Sequence, residues 1–132
     1  MHSTQGIIRV VPSGAAEGFW LYLECCSELG RYYRYTARSM DTMFVRLMKP
    51  AWGTHMTVVR REVSPVCSPR QAAQFYEGIE LEFKYYPEPS TNTKHVWLNV
   101  VADDLLDLRE SLGLSRYPEY PLHVTVGVMP GD

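Results

Sequence analysis

Two stretches of this 132-residue chain carry the same residue types at the same spacing. Pro50-Ala51-Trp52-Gly53-Thr54-His55-Met56-Thr57-Val58 and Pro118-Glu119-Tyr120-Pro121-Leu122-His123-Val124-Thr125-Val126 both read Pro, any residue, an aromatic, two of any, His, any, Thr, Val. Five defined positions recur 68 residues apart. Such self-similarity points to two half-domains related by a pseudo-twofold axis. On a strand, alternate side chains share a face. His55 and Thr57 then point one way, roughly 6–7 Å apart, and Met56 and Val58 point the other way, toward a core. The same holds for His123 and Thr125 against Val124 and Val126. Placed side by side in one sheet, the two strands line a single groove with two imidazoles and two hydroxyls.

Two imidazoles are what phosphodiester cleavage asks for. A neutral one takes a proton from an attacking water or ribose hydroxyl, and a protonated one gives a proton to the leaving oxygen. Histidine is the side chain whose ordinary pKa allows both roles near neutral pH. A hydroxyl two residues along can donate to a phosphate oxygen as charge develops there. A single H-x-T in a strand is commonly just a strand residue pair; the two copies with matched flanks carry the functional reading. No metal-ligand set stands out, because two His without a carboxylate at short fixed spacing, and no C-x-x-C, make a thin set. No cofactor is expected.

At these residues the sequence resembles the 2H phosphoesterase superfamily, which has two H-x-[ST]-hydrophobic motifs. HMTV at 55–58 and HVTV at 123–126 fit that pattern. The separation of the motifs is similar too, as is the order strand, helix, Pro-containing connector and motif strand before the second copy. The resemblance runs from about Pro50 to Met129 and is less clear over the first 50 residues. It implies a two-lobed α+β domain with largely antiparallel sheets, flanking helices and a central groove. It implies metal-free action on 2′,3′-cyclic phosphates, 2′-5′ linkages or cyclic nucleotides. In that likeness His55 and His123 are the catalytic acid and base, and Thr57 and Thr125 hold the phosphate. The small size is similar to phage-encoded members that degrade cyclic oligonucleotide signals. The implied partner is a nucleotide, a cyclic oligonucleotide or an RNA end. The alternative is a non-catalytic module that sequesters a nucleotide in the same groove.

Several neighbours of the motifs have two readings each. Trp52 and Tyr120, three residues before each His, can stack on a base or pin the turn against the core. Arg60 and Arg61 can reach a phosphate as guanidinium forks or be solvated strand-end charges; Lys49 shares that ambiguity. His95 has no Thr two positions on and reads as a surface or packing residue. Asp103-Asp104 reads as a helix start rather than a metal site. Cys25, Cys26 and Cys67 read as space-filling residues in apolar surroundings.

The elements that must position these groups are legible from periodicity. Residues 6–11 and 18–24 read as strands, the second apolar enough to be buried on both faces. A stripe of Cys26, Leu29, Tyr33, Ala37 and Met40 predicts a helix near 26–40, weakened by Gly30. Residues 43–48 look extended, and 55–62 read as a strand. Ser68-Pro69-Arg70-Gln71 predicts a capping box opening a short helix that stops at Gly78. Strands follow at 79–86 and 95–102, separated by a turn-rich loop at 87–94. Asp103 is expected to cap a helix carrying Leu105, Leu108 and Leu112 and ended by Gly113. The last strand is 122–129. Strands and helices mix without strict alternation, so the fold class is α+β with a largely antiparallel sheet, and residues 1–132 form one domain.

Composition sets the outer limits. With 45% hydrophobic and 21% charged residues, disorder is excluded as the main state. No run of 18 apolar residues predicts a membrane helix, and no basic segment followed by an apolar run predicts a signal peptide. A net charge of −2 argues against broad binding to duplex DNA. Three cysteines, two of them adjacent, do not make a disulfide framework, so a reducing, cytoplasmic setting is expected.

Overall fold

The computed structural model of the chain describes residues 1–14 and 18–130. The first strand, β1 (His2–Pro12), is followed by β2 (Phe19–Cys25), α1 (Ser27–Met40), a 3-10 turn at Thr42–Phe44 and β3 (His55–Glu62). Then come α2 (Pro69–Tyr76), β4 (Glu80–Tyr85), β5 (Ser90–Thr91), β6 (His95–Val101), α3 (Asp103–Ser111) and β7 (His123–Val128). The fold is α+β. All strand pairings are antiparallel. The strand order is β4-β1-β2-β3-β7-β6-β5, and a further pairing of β4 with β6 closes six strands into a barrel. None of the helices, among the described residues, is long and apolar enough to cross a membrane.

Each strand except the two-residue β5 has one apolar face. Ile8, Leu21, Leu23, Met56, Val58, Val96, Leu98, Val124 and Val126 are all buried there. They form one core with Tyr33 of α1, Ala72 of α2, and Leu105 and Leu112 at α3. The opposite face of β2, β3, β7 and β6 stays open, and its residues are half-buried or exposed. Strand β2 is therefore buried on one face, not both: Trp20 and Tyr22 are half-buried and Glu24 is exposed. Aromatic side chains on the open face explain why the segment reads as uniformly apolar.

The correspondence between the two motifs extends beyond them. In β2–β3, Tyr22 pairs with Thr57 and Leu21 with Val59. In β6–β7, Trp97 pairs with Thr125 and Val96 with Gly127. Both ladders shift register at the same place, so Val58-Val59 and Val126-Gly127 are equivalent bulges whose two residues are all buried. A bulge turns the following side chain to the other face. The helices repeat the pattern crosswise. Arg34 of α1 donates from Nη1 to the Val126 carbonyl of β7, and Arg109 of α3 donates from Nη1 to the Val58 carbonyl of β3, each at 2.8 Å. Gly30 weakens α1 as a helix former but lets it approach the first motif. A Cβ at that position would lie 1.8 Å from the Thr54 hydroxyl.

The capping box forms as expected: Ser68 accepts from the Gln71 backbone and Gln71 from that of Ser68. Helix α2 gives way to Gly78 and α3 to Gly113, both with positive φ, the conformation glycine tolerates best. Three further expectations fail. Of residues 43–48 only Met48 is extended, bridging to Val128; Phe44 and Leu47, three apart, both turn into the core, which suits a helical turn. The cap of α3 is Ala102, with Asp103 and Asp104 in the first turn, where carboxylates favour the helix dipole. Cys26 is exposed rather than space-filling, whereas Cys25 is buried.

Arg109 is 1% exposed and fully used. Besides Val58 it donates to the Ser115 carbonyl at 2.7 Å and to both Glu62 oxygens at 2.7 and 2.9 Å. Arg109→Ala takes the guanidinium away from a partly buried carboxylate, which keeps only the Arg60 backbone N–H, and from two carbonyls, which costs about 3–5 kcal/mol. Arg116, whose partners Asp107 and Glu110 are exposed, is expected to cost about 1 kcal/mol or less on the same change. Urea denaturation of the two variants checks this contrast. Equal losses would mean that Arg109 is no anchor.

Candidate active site

Strands β3 and β7 are direct neighbours, with His55 paired to Thr125 and Met56 to Val124. Paired residues share a face, so His55 and Thr125 lie side by side on the open face. The same register carried two residues along sets Thr57 beside His123. The two motifs thus meet across one ladder, about 5 Å between strands, and the four predicted groups form a single cluster.

The imidazoles are held alike. Nδ1 of His55 lies 2.7 Å from the Gly53 carbonyl, and Nδ1 of His123 lies 2.7 Å from the Pro121 carbonyl. A carbonyl only accepts, so Nδ1 carries the proton in both rings. Nε2 is left as an acceptor when the ring is neutral and a donor when it is charged. The partner in each case is two residues upstream, so the Pro-containing flanks of the motifs set the tautomer. The hydroxyls of Thr57 and Thr125 make no side-chain hydrogen bond among the described residues and are free for a ligand.

Aromatic rings wall the cluster at both ends. Tyr22 meets His55 edge-on at 6.1 Å, and Trp97 meets His123 edge-on at 6.2 Å. These two residues hold equivalent places, each paired with a motif threonine, and neither stands out as a site residue in the sequence. The signal was present: in FWLYLE and VWLNVV each has an apolar residue on either side, as a strand with one buried face requires. Trp52 stacks on Tyr22 at 4.5 Å and 21° and meets His55 at 5.7 Å. Tyr120 is 57% exposed. Neither aromatic is pinned in the core.

The bulge separates the two arginines. With Val58 and Val59 both turned to the core, Arg60 swings to the open face. Its guanidinium lies over the rings of Trp20 and Tyr120 at 5.6 and 5.7 Å and has no carboxylate partner among the described residues. Arg61 takes a left-handed backbone, φ 53°, at the second register shift and joins no group of the cluster. Lys49 is exposed and likewise outside it, and His95 is exposed on β6. A cavity lined by Thr57, Arg60, Glu119, Tyr120 and His123 opens beside the second motif.

Burial pushes both imidazoles below the ordinary histidine value. The Gly53 and Pro121 carbonyls act in the opposite direction, and positive charge adds to the depression. His55 feels His123 and Arg60; His123 feels Arg60 and His95. A neighbouring cation disfavours a second charge, so Arg60 couples the pair to one field.

The fold therefore favours neutral imidazoles, and the unfolded chain binds more protons just below its own value of about 6.5. Stability is expected to stand in full above that pH and to fall as pH drops through the lower folded values. Urea midpoints between pH 7 and 5 check this. The His55→Gln/His123→Gln double variant should show a flatter profile; an unchanged slope would place the dependence elsewhere.

No family profile matches the chain, and neither a curated protein nor a solved structure compared with it does.

Proposed function

We propose that the chain is a phosphodiesterase that cleaves a nucleotide diester by two-histidine acid–base catalysis without a metal. The halves β1-β2-β3 and β4-β6-β7 act as its two lobes, in a 2H phosphoesterase-like arrangement, and the open face between them is the groove. The observation that carries this reading is the pairing of the two motifs. Two imidazoles, each with Nδ1 held by a carbonyl and Nε2 free, share one sheet face with two unengaged threonine hydroxyls.

In this mechanism the diester lies across β3 and β7. One neutral Nε2 takes the proton of the attacking hydroxyl or water as its oxygen bonds to phosphorus. The other imidazole, protonated, gives its Nε2 proton to the leaving oxygen as that bond breaks. Thr57 and Thr125 donate to the non-bridging oxygens, where charge accumulates. Arg60, fixed over Trp20 and Tyr120, adds a positive charge on the same face. Tyr22, Trp52 and Trp97 offer ring faces and edges to the flanking bases. The substrate class is a 2′,3′-cyclic phosphate, a 2′-5′ linkage or a cyclic oligonucleotide.

The test is turnover of those substrates in EDTA, with products identified by mass. His55→Ala and His123→Ala should each lower kcat by about 10²- to 10⁴-fold while the urea midpoint shows a folded protein. The kcat/KM profile should be bell-shaped and centred below about pH 6.5, because both imidazoles titrate low. Monotonic rise through neutral pH would remove the acid–base pair. Ligand bound tightly and recovered intact would establish the sequestering module instead.

A further inference from the structure

Two of the charged positions at which the halves differ lie beside the second motif. Arg60 follows the bulge of β3, where the equivalent residue in β7 is Val128. Glu119 precedes Tyr120, where the equivalent residue before Trp52 is Ala51. Both side chains line the same cavity, together with Tyr120 and His123. Glu119 has no hydrogen bond or ion pair among the described residues, and the Arg60 guanidinium has only its two rings. The two opposite charges do not pair with each other across the cavity they share. The other carboxylate at this cavity, Glu62, is occupied by Arg109.

We infer that this cavity is a base-reading subsite for guanine, with Glu119 as its specificity residue. The inference rests on the nucleotide reading of the groove and deepens it. The opening is about 160 Å³, the room of roughly five waters, which is on the scale of a single base. Tyr120 and the Arg60 guanidinium give that group flat surfaces to stack on. An ionised carboxylate is acceptor-only, so beside a phosphate site it repels the anion and needs donors. Guanine is the base that presents two adjacent donors, N1–H and N2–H, on its Watson–Crick edge, the edge read when a base is unpaired. Adenine and cytosine set an acceptor next to their single amino group, and uracil flanks its one N–H with carbonyls. A carboxylate fork fits the first and opposes the other three. Arg60 neutralises the phosphate end, and Glu119 reads the base end.

The test is calorimetric titration of guanosine, adenosine, cytidine and uridine 3′-monophosphates into wild type, Glu119→Gln and Arg60→Gln at pH 7. Glu119 is exposed, so its replacement leaves the fold intact. Guanosine 3′-monophosphate is expected to bind at least about tenfold more tightly than the others, the scale of hydrogen bonds to a charged group. Glu119→Gln should erase that ratio while leaving adenosine 3′-monophosphate unchanged, and Arg60→Gln should weaken all four. Equal affinities in wild type, or a guanosine preference that survives Glu119→Gln, overturns the subsite and leaves the nucleotide reading standing. Absence of binding by all four at millimolar concentration overturns both.

Discussion

The pairing of β3 with β7 is the constraint on which everything else depends. Side-chain direction on a strand has a period of two, so a slip of one residue would move every group to the opposite face. It would expose Met56, Val58, Val124 and Val126 and bury two histidines and two threonines. Each of those apolar side chains is essentially sealed from water, and exposing one costs about 1.5–3 kcal/mol. The register is thus set by the core, from behind the cluster. The four groups of the cluster need no mutual attraction to be brought together.

Two buried arginines reinforce that register from the helices. Arg34 and Arg109 each hold the carbonyl of a motif valine in the other half of the molecule, so each helix is latched to the strand it did not precede. Arg109 also holds Glu62 in a bidentate pair, and the carboxylate stays well ionised because burial, which opposes its charge, is outweighed by the guanidinium and backbone donors. Such pairs specify position more than they add stability. Arg60 is spent differently. It rests on aromatic faces, an arrangement that fixes its position and leaves its fork without a bonded oxygen. Three arginines therefore do two jobs, and the distinction is whether an oxygen of the protein already occupies the fork.

The symmetry of the backbone and the asymmetry of the side chains have separate origins. Equivalent bulges at Val58-Val59 and Val126-Gly127 re-aim the chain in the same way. What each bulge delivers to the open face depends on the next residue, an arginine in one half and a valine in the other. The walls repeat as aromatics, Tyr22 and Trp97, but the charges do not repeat. A diester centred on the cluster would meet similar rings at both ends and a charged cavity at only one.

By itself the sequence determined the candidate groups and the local elements. The repeat of His and Thr with matched flanks, the alternation of β3 and β7, the capping box at Ser68 and the helix stop at Gly113 are all properties of neighbouring residues. They follow from side-chain period and backbone preference, which act over a few positions. Only the tertiary structure decided which strands are neighbours, because hydrogen-bonded pairing joins residues 70 apart in the chain. It also decided which arginine serves the site. Arg60 and Arg61 are indistinguishable by type and position in the sequence, and a bulge made by two valines turning to the same core chose between them. The same long-range packing left Tyr22 and Trp97 facing the histidines, and it turned Phe44 and Leu47 inward where an extended segment was expected. Local rules govern what a residue can do; burial against distant parts of the chain governs which way it points.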